Sequence, residues 1–168
     1  MYSIICSALL VTLVNADDEA SGLALDYQHF DQTLNAGWRG LAHDKKYGEA
    51  AALIEAYLAR HAELDRFQKV NLHFHAAQVL AFDGDTEAAL KHLASSRHEP
   101  EFKQSPVRWN DYVAATVAFL RRDREQLLAA RERIAGGAAV DGEIPNLDVV
   151  DRLVKFFDHS YYEAYTAK

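Results

Sequence analysis

Cysteine is almost missing from this chain: its 168 residues hold one, Cys6. A single thiol closes no disulfide framework and builds no cysteine-based metal site. Proline is scarce at three residues, and glycine is modest at eight. Few helix breakers beside abundant Ala and Leu favour helices. Basic charge is short as well: 18 Lys and Arg stand against 25 Asp and Glu, a formal net charge of −7. Phosphate binding wants a basic patch. The densest basic cluster, Arg121, Arg122 and Arg124, is interrupted by Asp123 and Glu125. Nucleic acid is therefore not an expected partner. No segment alternates apolar and polar residues at period two, so no strand is expected.

Long hydrophobic runs are missing too. A membrane-spanning helix needs roughly 20 apolar residues, and the longest run here, Ile4–Val14, covers about eleven. Val14-Asn15-Ala16 then supplies residues a signal peptidase accepts, and Asp17-Asp18-Glu19 opens a polar chain. Segment 1–16 reads as a secretory signal peptide, although no Lys or Arg precedes the apolar run. Cleavage after Ala16 would remove Cys6 and leave 17–168 as one cysteine-free domain. That fits a bacterial periplasm better than a disulfide-dense extracellular module. The expected location is periplasmic or secreted, with no membrane insertion after cleavage. It becomes cytoplasmic if the segment is not a signal.

What is present is helical periodicity. Phe67–Ser96 reads as two helices hinged at Asp83-Gly84-Asp85. Phe67, Val70, Phe74, Ala77 and Ala81 form one apolar stripe of the first, and Leu72, Ala76, Val79 and Leu80 another. A helix apolar on two sides is sandwiched between neighbours. Gly84 suits a left-handed helix end, and Asp85 can cap the next helix. Upstream, Leu23, Tyr27, Phe30, Leu34, Trp38 and Leu41 make a stripe over Gly22–Asp44, with Gly37 and Gly40 as places for a break. Glu49–His61 is the next expected helix. Downstream, a polar connector at 97–104 leads to Ser105-Pro106, a helix start running to about Leu120. Arg124–Ile134 follows. Pro145-Asn146 opens a last helix with Leu147, Val150, Val154, Phe157 and Tyr161 in one stripe.

Three turns align at an offset of 38: Lys46-Tyr47-Gly48-Glu49, Gly84-Asp85-Thr86-Glu87 and Arg122-Asp123-Arg124-Glu125. Glu49, Glu87 and Glu125 share a column, as do Leu41, Val79 and Val117. Such a period marks a helical solenoid. The central unit resembles the tetratricopeptide repeat family through Ala77, Leu80, Gly84, Asp85, Ala89 and Leu93. The flanking units depart from that pattern. Arg121-Arg122 replaces the turn glycine in the third, which also has Arg131 at a packing position, and Lys46 replaces the glycine in the first. The resemblance covers Leu34–Ile134, and its period exceeds the family's usual value of about 34. It implies an all-α fold of about three antiparallel hairpins, stacked as a short solenoid and closed by a C-terminal capping helix. Tyr161, Tyr162 and Tyr165 would cover the open end.

The resemblance also implies a concave groove lined by the first helix of each hairpin. Its positions are Asn71, Phe74 and Gln78 in the central unit, and Trp109, Tyr112 and Thr116 in the third. In the first they fall on Ala36, Gly40 and His43. The competing reading is that Phe74, Trp109 and Tyr112 are plain core between hairpins.

Catalytic motifs are missing. There is no Gly-x-Ser-x-Gly elbow, no phosphate loop and no zinc-protease spacing. His73 and His75 sit two apart on a helix, so they face nearly opposite ways and do not chelate one metal. His61, Glu63 and Asp65 read as a polar helix end. No catalytic residue, cofactor or metal is expected. The leading expectation is a non-catalytic, exported module that binds a protein or peptide. Alternatives are an envelope scaffold, an immunity-type inhibitor, or a self-assembling protein in which a second copy is the partner. An enzyme built from His43, His75, Glu49 and Asp111 is the least favoured.

Overall fold

A computed structural model of the chain describes residues 22–99 and 105–168. The expected signal segment 1–16 lies outside the described residues. Helices account for the regular structure, and no strand occurs among the described residues. The one isolated β-bridge described pairs Val140 with Glu143 across Asp141-Gly142. Both turn residues have positive φ, 52° and 87°. That is the mirror-image turn geometry that suits a tight hairpin. The protein is all-α. It divides into two compact units, one ending at Leu64 and one spanning Asp65–Lys168.

In the first unit, the stripe from Leu23 to Leu41 does not form one helix. A π-helical turn covers Gln28–Gln32, α1 spans Gly37–His43 and α2 spans Tyr47–Arg60. Positive φ at Asn35 (60°) and Gly37 (49°) reverses the chain between turn and helix. Leu34 falls at this reversal and is 79% exposed, instead of facing inward as the stripe expects. The core closes through rings. Phe30 stacks on Tyr57 with centroids 3.7 Å apart, and Tyr57 stacks on His61 at 4.0 Å. Asp31 is fully buried, and its carboxylate accepts the Trp38 indole N–H at 2.9 Å.

The second unit holds α3 (Arg66–Asp83), α4 (Thr86–Ser95), α5 (Trp109–Leu120), α6 (Arg124–Ala135), α7 (Leu147–Lys155) and α8 (Tyr161–Thr166). Packing joins α3 to α4, α4 to α5 and α5 to α6. It also joins α7 to α6, and α8 to both α7 and α3. Both stripes of α3 are buried except at Phe67, so the two-sided helix is sandwiched as its periodicity predicts. An Asp65/Gln68 capping box starts it, and Gly84 at φ 88° ends it.

The three turns share one backbone motif. Asp85 N–H donates to Leu80 O at 2.9 Å, Asp123 to Ala118 O at 2.8 Å, and Lys46 to Leu41 O at 2.9 Å. The residue before each donor has positive φ: Gly84, Arg122 and Lys45. The first turn therefore matches the second at an offset of 39 and not 38: Lys45, not Lys46, stands where Gly84 does, and Lys46 stands where Asp85 does. This is the six-to-one closure of a helix C-terminus. Asp85 and Asp123 then cap the following helices, accepting from Ala88 N–H and Gln126 N–H at 3.0 Å each. Lys46 has no side chain able to do so.

Two expected boundaries move. Ser105-Pro106 does not open α5. The Ser105 hydroxyl accepts from Val107 N–H at 3.2 Å in a local turn, and the helix begins at Trp109. A tertiary clamp sets that start: Asn110 accepts His98 N–H at 2.9 Å and donates to His98 O at 2.8 Å. The last helix also splits in two. Ser160 and Glu163 form a second capping box that restarts the helix as α8. A reciprocal cap satisfies two backbone donors at once, enough to compete with simple continuation.

Candidate partner-binding site

The groove positions expected for the central and third hairpins lie in the second unit, and those of the first hairpin, Ala36, Gly40 and His43, lie in the first. Asn71, Phe74 and Gln78 are spaced three and four apart on α3, and Trp109, Tyr112 and Thr116 repeat that spacing on α5. The fold brings the two rows together. Phe74 lies 5.1 Å from both Trp109 and Tyr112, centroid to centroid, with the rings tilted. Trp109 meets Tyr112 edge-on at 6.3 Å. Tilted and edge-on pairs of this kind each contribute about 0.5–1.5 kcal/mol beyond area burial.

Much of this row is closed to solvent. Phe74 and Tyr112 are each 4% exposed and Thr116 is 1% exposed. At the Gln78/Thr116 end the chain's own last helix fills the space. Tyr161 packs on Phe119 at 5.7 Å and on Phe82 at 5.6 Å, and Tyr165 packs on Phe82 at 5.4 Å. The Tyr161 hydroxyl is directed toward Thr116 and Gln78 but closes no hydrogen bond to either. Burial pushes the Tyr112 and Tyr161 phenols well above their ordinary range. Both are therefore neutral hydrophobes with a polar tip, not bases.

The other end is more open. Asn71 and Trp109 are half-buried, and Phe67, one turn before Asn71, is 52% exposed. Phe67 stacks on the buried His98 ring at 5.8 Å, and His98 lies 5.9 Å from Trp109. Trp109 is fixed by its indole N–H, which donates to Ser96 O at 2.7 Å. On α3, Phe67 is the residue that the sequence assigns to the buried stripe and the structure leaves at the surface. Its spacing is identical to that of its buried neighbours, so nothing in the pattern separates it.

The residues of the enzyme reading do not assemble within either unit. His43 and Glu49 are exposed in the first. In the second, His75 is half-buried beside Phe74, while Asp111 pairs with Arg133 at 2.6 Å. Among the described residues no group of three or more His, Cys, Asp or Glu side chains is placed to hold a metal ion. No helix among them is long and apolar enough to cross a membrane.

The described geometry defines an all-helical protein whose neighbouring helices pack through an aromatic seam. No protein-family model, curated protein or solved structure matches the chain.

Proposed function

We propose that this protein is a non-catalytic protein- or peptide-binding module built on tetratricopeptide-like hairpins. The observation that carries the reading is the open end of the α3/α5 seam. There an exposed Phe67 stands beside half-buried Trp109 and Asn71, over a rigid aromatic floor. Exposed aromatics next to a fixed indole and an amide are the composition of a binding hot spot. The recurring turn closures at Lys46, Asp85 and Asp123 support the repeat resemblance. Filling of the Gln78/Thr116 end by α8 supports the capping role of the last helix and confines the partner to the Phe67/Trp109 end. Export to the periplasm or beyond is part of the proposal and rests on the residue pattern of 1–16.

The test is affinity capture from native envelope and soluble extracts. The chain from Asp17 serves as bait beside Phe67→Ser, a substitution at a surface position that leaves the core intact. A protein retained by the wild type and lost by the still-helical variant is expected. Equal retention by both would overturn the assigned surface.

A further inference from the structure

His73 and His92 meet across the α3/α4 hairpin with their Nδ1 atoms 3.1 Å apart, an N–H···N hydrogen bond that leaves no room for a ligand. Unused charge lies elsewhere, at the open end of the α3/α5 seam. Resting on the binding role proposed above for that surface, we infer that it takes an acidic peptide segment carrying an apolar anchor.

The local charge has the opposite sign to the chain. The whole sequence carries −7. The segments that build the open end, 65–71, 97–99 and 105–111, carry Arg66, Lys69, Arg97 and Arg108 against Asp65, Glu99 and Asp111. Each of those carboxylates is already engaged. Asp65 caps α3 by accepting Gln68 N–H at 2.8 Å, Glu99 lies 3.5 Å from Arg97, and Asp111 lies 2.6 Å from Arg133 of α6. Arg66 and Arg108 are exposed and make no ion pair among the described residues. Arg66 immediately precedes Phe67, and Arg108 immediately precedes Trp109. The two guanidinium groups therefore stand one at each end of the Phe67–His98–Trp109 row of rings.

This arrangement selects the partner. Phe67 lies nearly parallel to the His98 ring, at 16°, and leaves half of its own surface to solvent. An aromatic or branched aliphatic side chain laid on it, beside Trp109, buries apolar surface against a floor that is already ordered. Most of the ordering cost then falls on the peptide. Carboxylates on either side of that anchor meet Arg66 and Arg108, whose planar forks suit bidentate contact. A basic segment would meet like charge at both ends. Two unpaired cations on a chain of −7 suit a few carboxylates and not a phosphate backbone.

The experiment pans an unbiased library of short linear peptides against the chain from Asp17 and measures the enriched peptides by fluorescence anisotropy. Phe67→Ser and the double variant Arg66→Gln/Arg108→Gln, all at exposed positions, are compared after circular dichroism has shown them to be helical. Enriched peptides should hold an aromatic or aliphatic anchor among Asp and Glu, and their binding should weaken with added salt. Phe67→Ser should abolish it, and the double variant should weaken it about three- to thirtyfold, the range for two exposed ion pairs. Neutral or basic peptides that are lost in Phe67→Ser overturn the acidic partner and leave the proposed surface standing. Peptides held equally by Phe67→Ser overturn both. Acidic peptides held equally by the double arginine variant overturn the charge assignment. Failure to enrich any peptide overturns a linear-peptide partner, and capture from extracts then decides alone whether the surface binds a folded protein. Self-association of the wild type that is lost in Phe67→Ser, read by sedimentation, makes a second copy the occupant and overturns the inference too.

Discussion

Tyr161 of the last helix packs edge-on against Phe119 of α5, their centroids 5.7 Å apart, and is buried to 3% exposure. Through this contact a six-residue helix becomes part of the core of the second unit. Its phenol carries a buried hydroxyl with no hydrogen-bond partner. Truncating the ring in Tyr161→Ala is expected to cost about 3–5 kcal/mol, the range for large aromatic truncations. Removing only the oxygen in Tyr161→Phe is expected to be neutral or to stabilise by up to about 1 kcal/mol, because an unsatisfied buried hydroxyl is lost. Urea denaturation of both variants checks this. A large loss in Tyr161→Phe would mean that the hydroxyl is paired in solution.

Gly37 is required by its backbone and by its surroundings. Its φ is +49°, and a Cβ would stand 2.4 Å from the Phe30 carbonyl oxygen. Gly37→Ala is expected to destabilise the first unit by about 2 kcal/mol or more, combining left-handed strain with a clash that only backbone movement relieves. Gly84→Ala meets nothing within 4 Å, so it should lose only the conformational part, about 1 kcal/mol. Equal losses at the two sites would refute the steric part of the account.

The three helix-closing turns differ at the residue that caps the next helix. Asp85→Ala and Asp123→Ala should each cost about 1 kcal/mol through the lost cap bond. Lys46 occupies the same position with φ −86° and ψ 61°, close to the −78° and 78° of Asp85. Lys46→Asp is therefore expected to stabilise by about 0.5–1 kcal/mol. Thermal unfolding of the three variants decides; a destabilised Lys46→Asp would show that the positions are not equivalent.

His61 gives the first unit a dependence on pH. Its ring is held above the ordinary imidazole range by a hydrogen bond to the Leu23 carbonyl and then by one to the Glu63 carboxylate. A raised folded-state value stabilises the fold below the unfolded value, and that contribution disappears as pH rises through the folded one. The stability gap between wild type and His61→Gln should therefore be wider at about pH 5.5 than at about pH 8.5, either side of the ordinary range. A gap that does not change between the two conditions would rule this out.

How much of this was legible in the residues depends on how far each feature reaches along the chain. The α3/α4 hairpin was readable because its signals are local. An apolar period of three to four, a left-handed glycine and a capping aspartate all act within one or two turns, and all agree. The split of Gly22–Asp44 was less legible. Gly37 and Gly40 mark places for a break, but the hydrophobic spacing continues through Leu34, and the reversal itself comes from positive φ at both Asn35 and Gly37. The start of α5 was misplaced for a related reason. Ser105-Pro106 is a sound local signal, but the Asn110 clamp on His98 outweighs it from twelve residues away.

The candidate site shows the same division. The tetratricopeptide resemblance implies Asn71, Phe74 and Gln78 on one row and Trp109, Tyr112 and Thr116 on another. That these rows meet follows from α3 packing on α5 through its rings, a tertiary fact. Which end stays open was not written in either row. It depends on Tyr161 and Tyr165, more than 40 residues downstream, folding back onto Phe82 and Phe119. The pairing of His73 with His92 likewise needs the hairpin to close before the two rings meet. By itself the sequence determined the helical class, the α3/α4 hairpin and its caps, because backbone propensity and capping act over a few residues. Only the tertiary structure decided which aromatics are core, which is surface and which histidines are partners, because burial is settled by segments distant in the chain.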